Sequence, residues 1–371
     1  MTDRIESAVE QFRALLTEQL QRVERIQNAS SQRDGENKDQ TVIGIIDGDG
    51  IGPIIMRETC RVLGTLLDDE IRSGNLVLKR IEGLTIEERI KLGKSVPEPV
   101  LNEIKACDVL LKGPTATPKG GKMESANVTL RRELDLYANV RPVSIPEEGI
   151  DWTFFRENTE GEYVLGSRGI EIEGALCMDF KVTTIGGTER IARVAFDFAR
   201  KNGKKNVAIV TKANIMKKTD GLFSEICHRI AEEYPEITAD DWYVDIMTAN
   251  LVNPEIRSGF EVFVLPNLYG DIITDEAAQI QGGVGTAGSA NIGSRYAMFE
   301  AIHGTAPRLI EEGKGEYANP SSLMRAACMM LNHIGKQPYA AKLEKALAEV
   351  KHEDTMTVSE YADLILEKIG R

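Results

Sequence analysis

The sequence predicts an α/β protein of two domains with mixed, mostly parallel sheets and without a Rossmann dinucleotide fold. Three observations carry this prediction. Short β-branched runs such as Thr41–Ile46 and Glu261–Leu265 alternate with stretches of helical periodicity. The length of 371 residues suits two domains of ordinary size. The turn after the first run spaces Gly48, Gly50 and Gly52 as G-x-G-x-G and closes on Pro53, whereas a dinucleotide fingerprint needs G-x-G-x-x-G. These glycines mark a tight strand-to-helix turn.

Composition excludes several functions. Hydrophobic residues make up 42% and charged residues 28%, the profile of a soluble globular chain. A net charge of −13 argues against nucleic acid or an anionic membrane surface as the main partner. It leaves room for an anionic small substrate held by a local cluster of Arg. No window approaches the roughly 18 unbroken apolar residues of a membrane span. The start, MTDRIESAVEQ, has no basic segment followed by an apolar one, so no secretory leader is expected. Five scattered cysteines, none in CxxC spacing, predict reduced thiols, a cytoplasmic location and no cysteine metal site.

Residues 1–30 read as one helix, because Ile5, Val9, Phe12, Leu16, Leu20, Val23 and Ile26 recur at steps of three and four. The polar stretch NASSQRDGENKDQ that follows reads as a linker. Such a helix either docks on its own domain or serves as a self-association arm. Beyond it come the strand TVIGII, the tight turn and a helix from about Pro53 to Leu67. Leu76–Arg80, amphipathic stretches near Thr85–Leu92 and Pro97–Lys105, and the strand Val109–Leu111 continue a β-α-β-α-β alternation. The long loop Lys112–Gly121 leaves the carboxyl end of that strand, where open α/β sheets place their ligands.

The stretch Glu124–Pro142 holds Ser125, Asn127, Arg131 and Arg141, and Arg156 follows in FFRENTEGEY. Three Arg near loop ends in an acidic chain suit an anion with several carboxylates, since a guanidinium binds carboxylate bidentately and stays protonated. Helix capping would equally account for Ser125, and surface pairing with Glu133 and Asp135 for Arg131. Residues 165–187 alternate as one or two strands, Gly187–Asn202 is helical, and the strand Lys205–Val210 delivers Lys212 within TKANIMK. A Lys at a strand end is commonly a solvated charge. It gains chemical interest where burial beside a metal lowers its pKa. A helix at 219–233 and the segment Asp241–Asp245 come next.

After the strand Glu261–Leu265, Asn267, Tyr269 and Gly270 read as a turn, and helical periodicity begins at Asp271 and Asp275. Four residues are one helical turn, so both carboxylates project from the same face. Like charges so placed repel unless a cation sits between them, and Mg²⁺ or Mn²⁺ favours oxygen ligands. Two acids attracted by the helix macrodipole are the commoner cause of that spacing taken alone. Asp245 lies within topological reach as a third carboxylate. The glycine-dense 278–293 leads to a strand and loop, Phe299–Arg308, where Gly304 and Thr305 can turn backbone N–H groups to a phosphate; His303 alone reads as a plain loop residue. Asn319-Pro-Ser-Ser322 caps a helix at Leu323–Ile334, and two further helices close the sequence.

GDGIGP, S-x-N-x-x-x-R with a second Arg ten residues on, FRENTEGEY, TKANIMK, NLYGDIITD, and HGTAP followed by NP occur in that order. Together they resemble the isocitrate/isopropylmalate dehydrogenase family of decarboxylating β-hydroxyacid dehydrogenases over roughly residues 41–371. The resemblance implies that family's two-domain fold. Residues 1–40 would be an N-terminal helix and linker, 41–137 plus 284–371 a large domain, and 138–283 a small domain with a dimer clasp near 161–187. It implies that Asp271 and Asp275, with Asp245 of the neighbouring subunit, hold Mg²⁺ or Mn²⁺. Lys212, also from the neighbour, would assist removal of the hydroxyl proton, and Tyr163 would protonate the enol left after CO₂ departs. Ser125, Asn127, Arg131, Arg141 and Arg156 would hold the substrate. The nucleotide of NADP or NAD would lie against His303, Gly304, Thr305, Ala306 and Asn319, with Lys112, Thr117 and Asn214 flanking the nicotinamide.

Isocitrate-using members carry Ser and Asn two apart before the first Arg, where isopropylmalate enzymes place an apolar contact. Ser125 and Asn127 therefore favour oxidative decarboxylation of isocitrate to 2-oxoglutarate. Isopropylmalate, homoisocitrate or tartrate as substrate, or a regulatory subunit of a heteromeric enzyme, are the alternatives; the presence of Asp245, Asp271, Asp275, Lys212 and Tyr163 opposes the last. Arg308 stands just after HGTAP, where NAD-using members often have Asp, and favours NADP through a 2′-phosphate pairing. The segment His352–Val358 supplies no Tyr or Arg to complete that site, so both cofactors stay open. The expected assembly is a homodimer with shared active sites, extendable to a higher oligomer through the N-terminal helix.

Overall fold

The computed structural model describes residues 2–29, 40–118, 123–166 and 168–370. The linker expected at 28–40 falls largely outside them, as does the far end of the loop 112–121. In chain order the elements are α1 (Thr2–Ala29), β1 (Thr41–Ile46), α2 (Gly52–Leu66), α3 (Asp68–Arg72), β2 (Leu76–Arg80), α4 (Ile86–Leu92), α5 (Glu98–Lys105), β3 (Val109–Lys112), α6 (Ala126–Glu133), β4 (Ala138–Ile145), β5 (Ile150–Glu157), β6 (Ile170–Ile172) and β7 (Leu176–Met178). There follow α7 (Ile185–Lys201), β8 (Asn206–Thr211), α8 (Thr219–Ala231), β9 (Thr238–Tyr243), α9 (Val244–Leu251), β10 (Val262–Leu265), α10 (Asn267–Ile280), β11 (Gly288–Ile292), β12 (Ala297–Ala301), α11 (Pro307–Glu311), α12 (Ser321–His333), α13 (Gln337–Glu349) and α14 (Val358–Gly370).

The chain divides into two units. One holds α1 and Ile145–Thr274; the other holds the described residues from Gln40 to Ser144 with Asp275 to Gly370. The division falls within α10, between Thr274 and Asp275.

In the second unit the strands run β2-β1-β3-β12-β11-β4. The first four are mutually parallel, and β11 is antiparallel to both β12 and β4. Helices cover both faces, so β1 reads as an unbroken apolar run. Ile43 and Ile45 join Leu63 of α2, Leu323 and Leu331 of α12, Leu343 of α13 and Ile365 of α14 in one buried core. Ile46, Leu110 and Met298 pack on the other side with Ile104 of α5 and Leu130 of α6. Gly50 shows how tightly the turn after β1 is built: its φ is +60°, and a Cβ there would lie 2.1 Å from the Thr305 carbonyl oxygen. The N–H of Ile51 donates to that same oxygen at 3.1 Å.

In the first unit the order is β5-β10-β8-β9, with every pairing parallel. Its core is aromatic. Phe154 and Phe263 stack with centroids 4.2 Å apart, and Trp152 meets both edge-on at 6.2 and 6.0 Å. The amphipathic α7 lies on this sheet, its first turn capped by Thr184, whose hydroxyl oxygen accepts from the N–H of Gly187 at 3.0 Å. A separate antiparallel pair, β6 with β7, carries α1. Of the two roles open to the N-terminal helix, the structure shows docking on its own unit: Phe12 packs against Phe180 at 5.4 Å, and α1 also touches α7. Ile5, Val9, Leu16 and Leu20 of its apolar stripe stay exposed.

Two elements start differently from expectation. α10 begins at Asn267, and the residues read as a turn form its first coil. α12 begins at Ser321 without a side-chain cap; instead Asn319 Oδ1 accepts from the N–H of Ser321 at 2.9 Å. No helix among the described residues is long and apolar enough to cross a membrane, and all five cysteines are free thiols.

The stacked Phe263 is fully buried, so Phe263→Ala is expected to remove about 3–5 kcal/mol of stability. A lowered urea midpoint with an unchanged m-value would show this; a midpoint within experimental error of wild type would contradict the packing described.

Candidate active site

In the first unit the site grows from the carboxyl ends of β5 and β10, which run side by side with Arg156 paired to Leu265. Arg156 is 1% exposed. A buried guanidinium must find carboxylate or carbonyl partners, and α10 supplies them from its first coil. Asn267 Oδ1 accepts from Arg156 Nε at 2.9 Å and from Nη2 at 2.7 Å, and Nη1 bonds Asp271. Gly270 permits this approach, since a Cβ there would come within 2.6 Å of the Arg156 side chain. Tyr163 completes the group: its hydroxyl donates to Asp271 Oδ2 at 2.8 Å, and the Arg156 guanidinium lies 5.4 Å from its ring centre. The Asn267 amide also donates to the Glu160 carbonyl at 2.9 Å.

A second cluster forms where β8 ends. Lys212 Nζ donates to Asp245 Oδ1 at 2.6 Å, and this ammonium holds the Asp245 carboxyl below its usual range. The Lys212 backbone N–H is fixed by Asp220 Oδ2 at 2.7 Å. Asp220 is fully buried and pairs at 2.5 Å with Lys181, whose ammonium also sits 4.2 Å over the Tyr269 ring. Lys212 itself is neither fully buried nor isolated. Its side chain is 26% exposed and ion-paired.

In the second unit Lys112 closes β3 and is fully buried, its Nζ donating to Gly113 O at 2.7 Å and lying 3.1 Å from Glu300 Oε2. Glu300 Oε1 accepts from Arg131 Nη2 at 3.2 Å and from the Asn291 amide at 2.8 Å. Burial alone would raise the Glu300 carboxyl. The charges of Lys112 and Arg131, with the bonds from Asn291 and Lys112, outweigh it and hold the group at about 2. Burial pushes the Lys112 ammonium down, against Glu300. Arg131 keeps one buried donor, Nε, with no hydrogen-bond partner. Ser125 stands at the N-cap of α6, but its side chain makes no capping bond. Asn127 Oδ1 accepts from the Thr115 hydroxyl at 2.9 Å, and Arg141 Nη1 donates to Asp275 Oδ1 at 2.9 Å.

Beyond β12, His303 Nδ1 lies 3.0 Å from the Gly304 carbonyl, and burial pushes the imidazole pKa down. Its Nε2 is buried without a partner. Gly304 is exposed, and a Cβ there would meet nothing. Ala306 adopts a left-handed φ of 45° at the start of α11. Ser322 ties this loop down, its hydroxyl accepting from Ile302 N–H at 3.1 Å and donating to Ala287 O at 2.5 Å. Arg308 is 89% exposed and reaches Glu312 at 3.5 Å. Thr117 and Asn214 are exposed on their loops.

The structure thus brings Arg156, Tyr163 and Asp271 together; Lys212 with Asp245; Lys112 with Arg131; and Arg141 with Asp275. Among the described residues of one chain, no three His, Cys, Asp or Glu side chains are grouped to hold a metal. Glu300, Lys181 and Asp220 were not singled out in the sequence, and Asn267 was read only as a turn residue. A glutamate inside the apolar AMFEA run was the readable sign of a paired buried charge.

These features define an α/β protein with buried guanidinium and ammonium groups at strand ends. The particular family follows from comparison. The model of the isocitrate/isopropylmalate dehydrogenase family matches residues 42–367, and the chain belongs to that family. It is 39% identical to the isocitrate dehydrogenase (NADP) of Rickettsia bellii over 89% of this chain and 70% of that protein. It is 38% identical to the 3-isopropylmalate dehydrogenase of Methanothermobacter thermautotrophicus over 85% of this chain and 92% of the relative. A crystal structure of isocitrate dehydrogenase from Methylococcus capsulatus aligns with a TM-score of 0.80 and 36% identity, covering 90% of this chain and 100% of that one. The chain spans 62–70% of the length of its Rickettsia relatives.

The Glu300 assembly sets a pH dependence. Its folded pKa of about 2 lies below the ordinary 4.5. The unfolded chain therefore binds more protons between these values, and the stabilisation present above pH 4.5 is lost as pH falls through 2. The difference corresponds to about 3 kcal/mol. Glu300→Gln is expected to be less stable at neutral pH and to lose less on acidification; urea midpoints that fall in parallel with wild type would refute this.

Proposed function

We propose that the chain is an isocitrate dehydrogenase, converting isocitrate to 2-oxoglutarate and CO₂ with reduction of NADP⁺ or NAD⁺ in the cytoplasm. The observation that carries this reading is on α6. Ser125 spends no bond on the helix cap, and Arg131 keeps a buried N–H without a partner. A tricarboxylate substrate would satisfy both. The relatives named isocitrate dehydrogenase support the choice, and the isopropylmalate relative keeps other 2-hydroxy acids as the competing reading.

In this proposal Arg131, Arg141 and Arg156 hold the substrate carboxylates, with Ser125 and Asn127 bonding the third. Asp271 and Asp275 stand one helical turn apart on α10 with partly exposed side chains. Such oxygen donors fit a hard divalent cation, and Asp245 of the partner subunit would complete the set. Mg²⁺ or Mn²⁺ held there would stabilise negative charge developing on the substrate oxygens. Lys212 of the partner subunit would assist removal of the hydroxyl proton, and Tyr163, already donating to Asp271, would deliver a proton to the carbon left when CO₂ departs. The open Gly304 and the unspent His303 Nε2 suit the nucleotide, beside Thr305, Ala306 and Asn319. Lys112, Thr117 and Asn214 would flank the nicotinamide. The exposed Arg308 is free to meet a 2′-phosphate at the cost of its Glu312 pairing. Sharing Lys212 and Asp245 between subunits makes a homodimer the active form, and the exposed stripe on α1 offers a route to a larger assembly.

Initial rates with isocitrate and Mn²⁺ are expected to be substantial, and faster with NADP⁺ than with NAD⁺. Arg308→Asp should reverse that order. Turnover with isopropylmalate, homoisocitrate or tartrate instead would overturn the substrate. Lys212→Met is expected to lower kcat roughly 10³-fold while metal binding, followed by calorimetry, persists. Asp271→Asn should lose metal binding as well as turnover; retained Mn²⁺ affinity would remove Asp271 from the ligand set, and wild-type chain that binds metal but turns over no substrate would indicate a regulatory subunit.

A further inference from the structure

The family match begins at residue 42, so α1 lies outside it. Yet α1 reaches the loop that joins Arg156 to Tyr163. Arg22, with a side chain 12% exposed, donates from Nη1 to Glu160 Oε1 at 2.9 Å and from Nη2 to the Thr159 hydroxyl at 3.2 Å. Glu160 is buried, accepts from Thr184 N–H at 2.9 Å, and is also bonded by the Thr184 hydroxyl. Glu157, also buried, accepts from Thr159 N–H and hydroxyl at 2.9 and 2.7 Å and from Glu160 N–H at 2.6 Å.

Two carboxylates three residues apart are therefore buried in one loop, with the Arg22 guanidinium as the cation facing them. Burial, and then the Glu160 charge, push the Glu157 carboxyl up to about 7, while Thr159 and Arg22 act against the rise. Removing the cation would leave Glu160 buried and unpaired, a costly state that the loop can relieve only by opening or by taking up protons. Opening would not stay local. The loop's Glu160 carbonyl anchors Asn267, and Asn267 Oδ1 holds Arg156 through two bonds.

We propose that Arg22 is a positioning residue: from the N-terminal helix it fastens the 157–160 loop and so sets Arg156 and Tyr163 for the substrate. The inference rests on the reading that these two residues handle substrate. The action runs through Glu160, Thr159 and Asn267.

The test uses the full chain as wild type, Arg22→Ala and Arg22→Lys. Arg22→Ala is expected to lower kcat/KM for isocitrate roughly ten- to a hundredfold. The loss should fall on both kcat, through Tyr163, and isocitrate KM, through Arg156, with the cofactor KM unchanged. Backbone amides of 157–163 should exchange hydrogen faster, and Arg22→Lys, which keeps one charged donor, should recover part of both effects. Unchanged isocitrate kinetics in folded Arg22→Ala would overturn the proposal, as would a lowered melting temperature with normal kcat and KM. If Arg22→Ala fails to fold, Arg22→Lys decides: kinetics and exchange equal to wild type overturn the role, and an intermediate loss in both supports it. If the wild-type chain turns over no isocitrate, the substrate reading falls by itself. Amide exchange then judges the fastening alone: unchanged protection of 157–163 in Arg22→Ala overturns it, and faster exchange sustains it.

Discussion

A guanidinium buried to 1% exposure governs the first unit. Arg156 sits at the end of a strand whose neighbours are aromatic and apolar, and an unpaired charge there would be untenable. Its partners are thus obligatory. Asn267 must stand where the strand β10 hands over to α10, Gly270 must lack a Cβ, and Asp271 must follow one turn on. The start of α10 is fixed by what Arg156 requires, which explains why the helix opens at Asn267. A side chain held on several sides would also be pre-organised for the substrate carboxylate proposed, because little entropy would remain to be lost on binding.

The second unit meets the same difficulty with a different residue. Lys112 and Arg131 bring two cations to one place at the carboxyl end of the central strands, and Glu300 lies between them. One carboxylate against two cations leaves a net positive charge in a low-dielectric setting. That imbalance would allow an acidic chain of net charge −13 to take the anionic substrate proposed. The positive charge of Lys112 and Arg131 is concentrated and buried, and Glu300 neutralises only part of it.

Much of this was legible in the sequence, and the parts that were not share a cause. Periodicity located α1, the strand β1 and the helices that follow, because both signals are local. The mostly parallel sheet followed from the alternation of strands and helices. The family followed from ordered motifs, each weak alone. Contacts between residues distant in sequence were not legible. Nothing near Asn267 indicates that it accepts two bonds from a side chain 111 residues earlier. Glu300 reads as an anomaly in an apolar strand, but its partners at 112 and 131 are set by the parallel pairing of β12 with β3 and the placement of α6. Capping, which would equally have accounted for Ser125, is not made for a related reason: local rules assign a hydroxyl to its own helix, while here the fold makes no such bond.

Unspent groups are more informative than satisfied ones. Polar atoms buried in a folded chain are nearly always paired, so the partnerless donor on Arg131 and the partnerless nitrogen on His303 each represent a free-energy cost the fold tolerates. Arg131 Nε and His303 Nε2 are two of several buried polar atoms without a protein partner among the described residues, and these two sit on a helix and a loop at the carboxyl ends of central strands. The same reasoning distinguishes Arg22. Its donors meet the buried Glu160 and the part-buried Thr159, and both belong to a loop whose ends carry Arg156 and Tyr163. A helix that merely covered apolar surface would have no need to place a cation beside buried carboxylates. This one keeps several large apolar side chains exposed while burying a guanidinium. That distribution is the reverse of what simple hydrophobic docking produces.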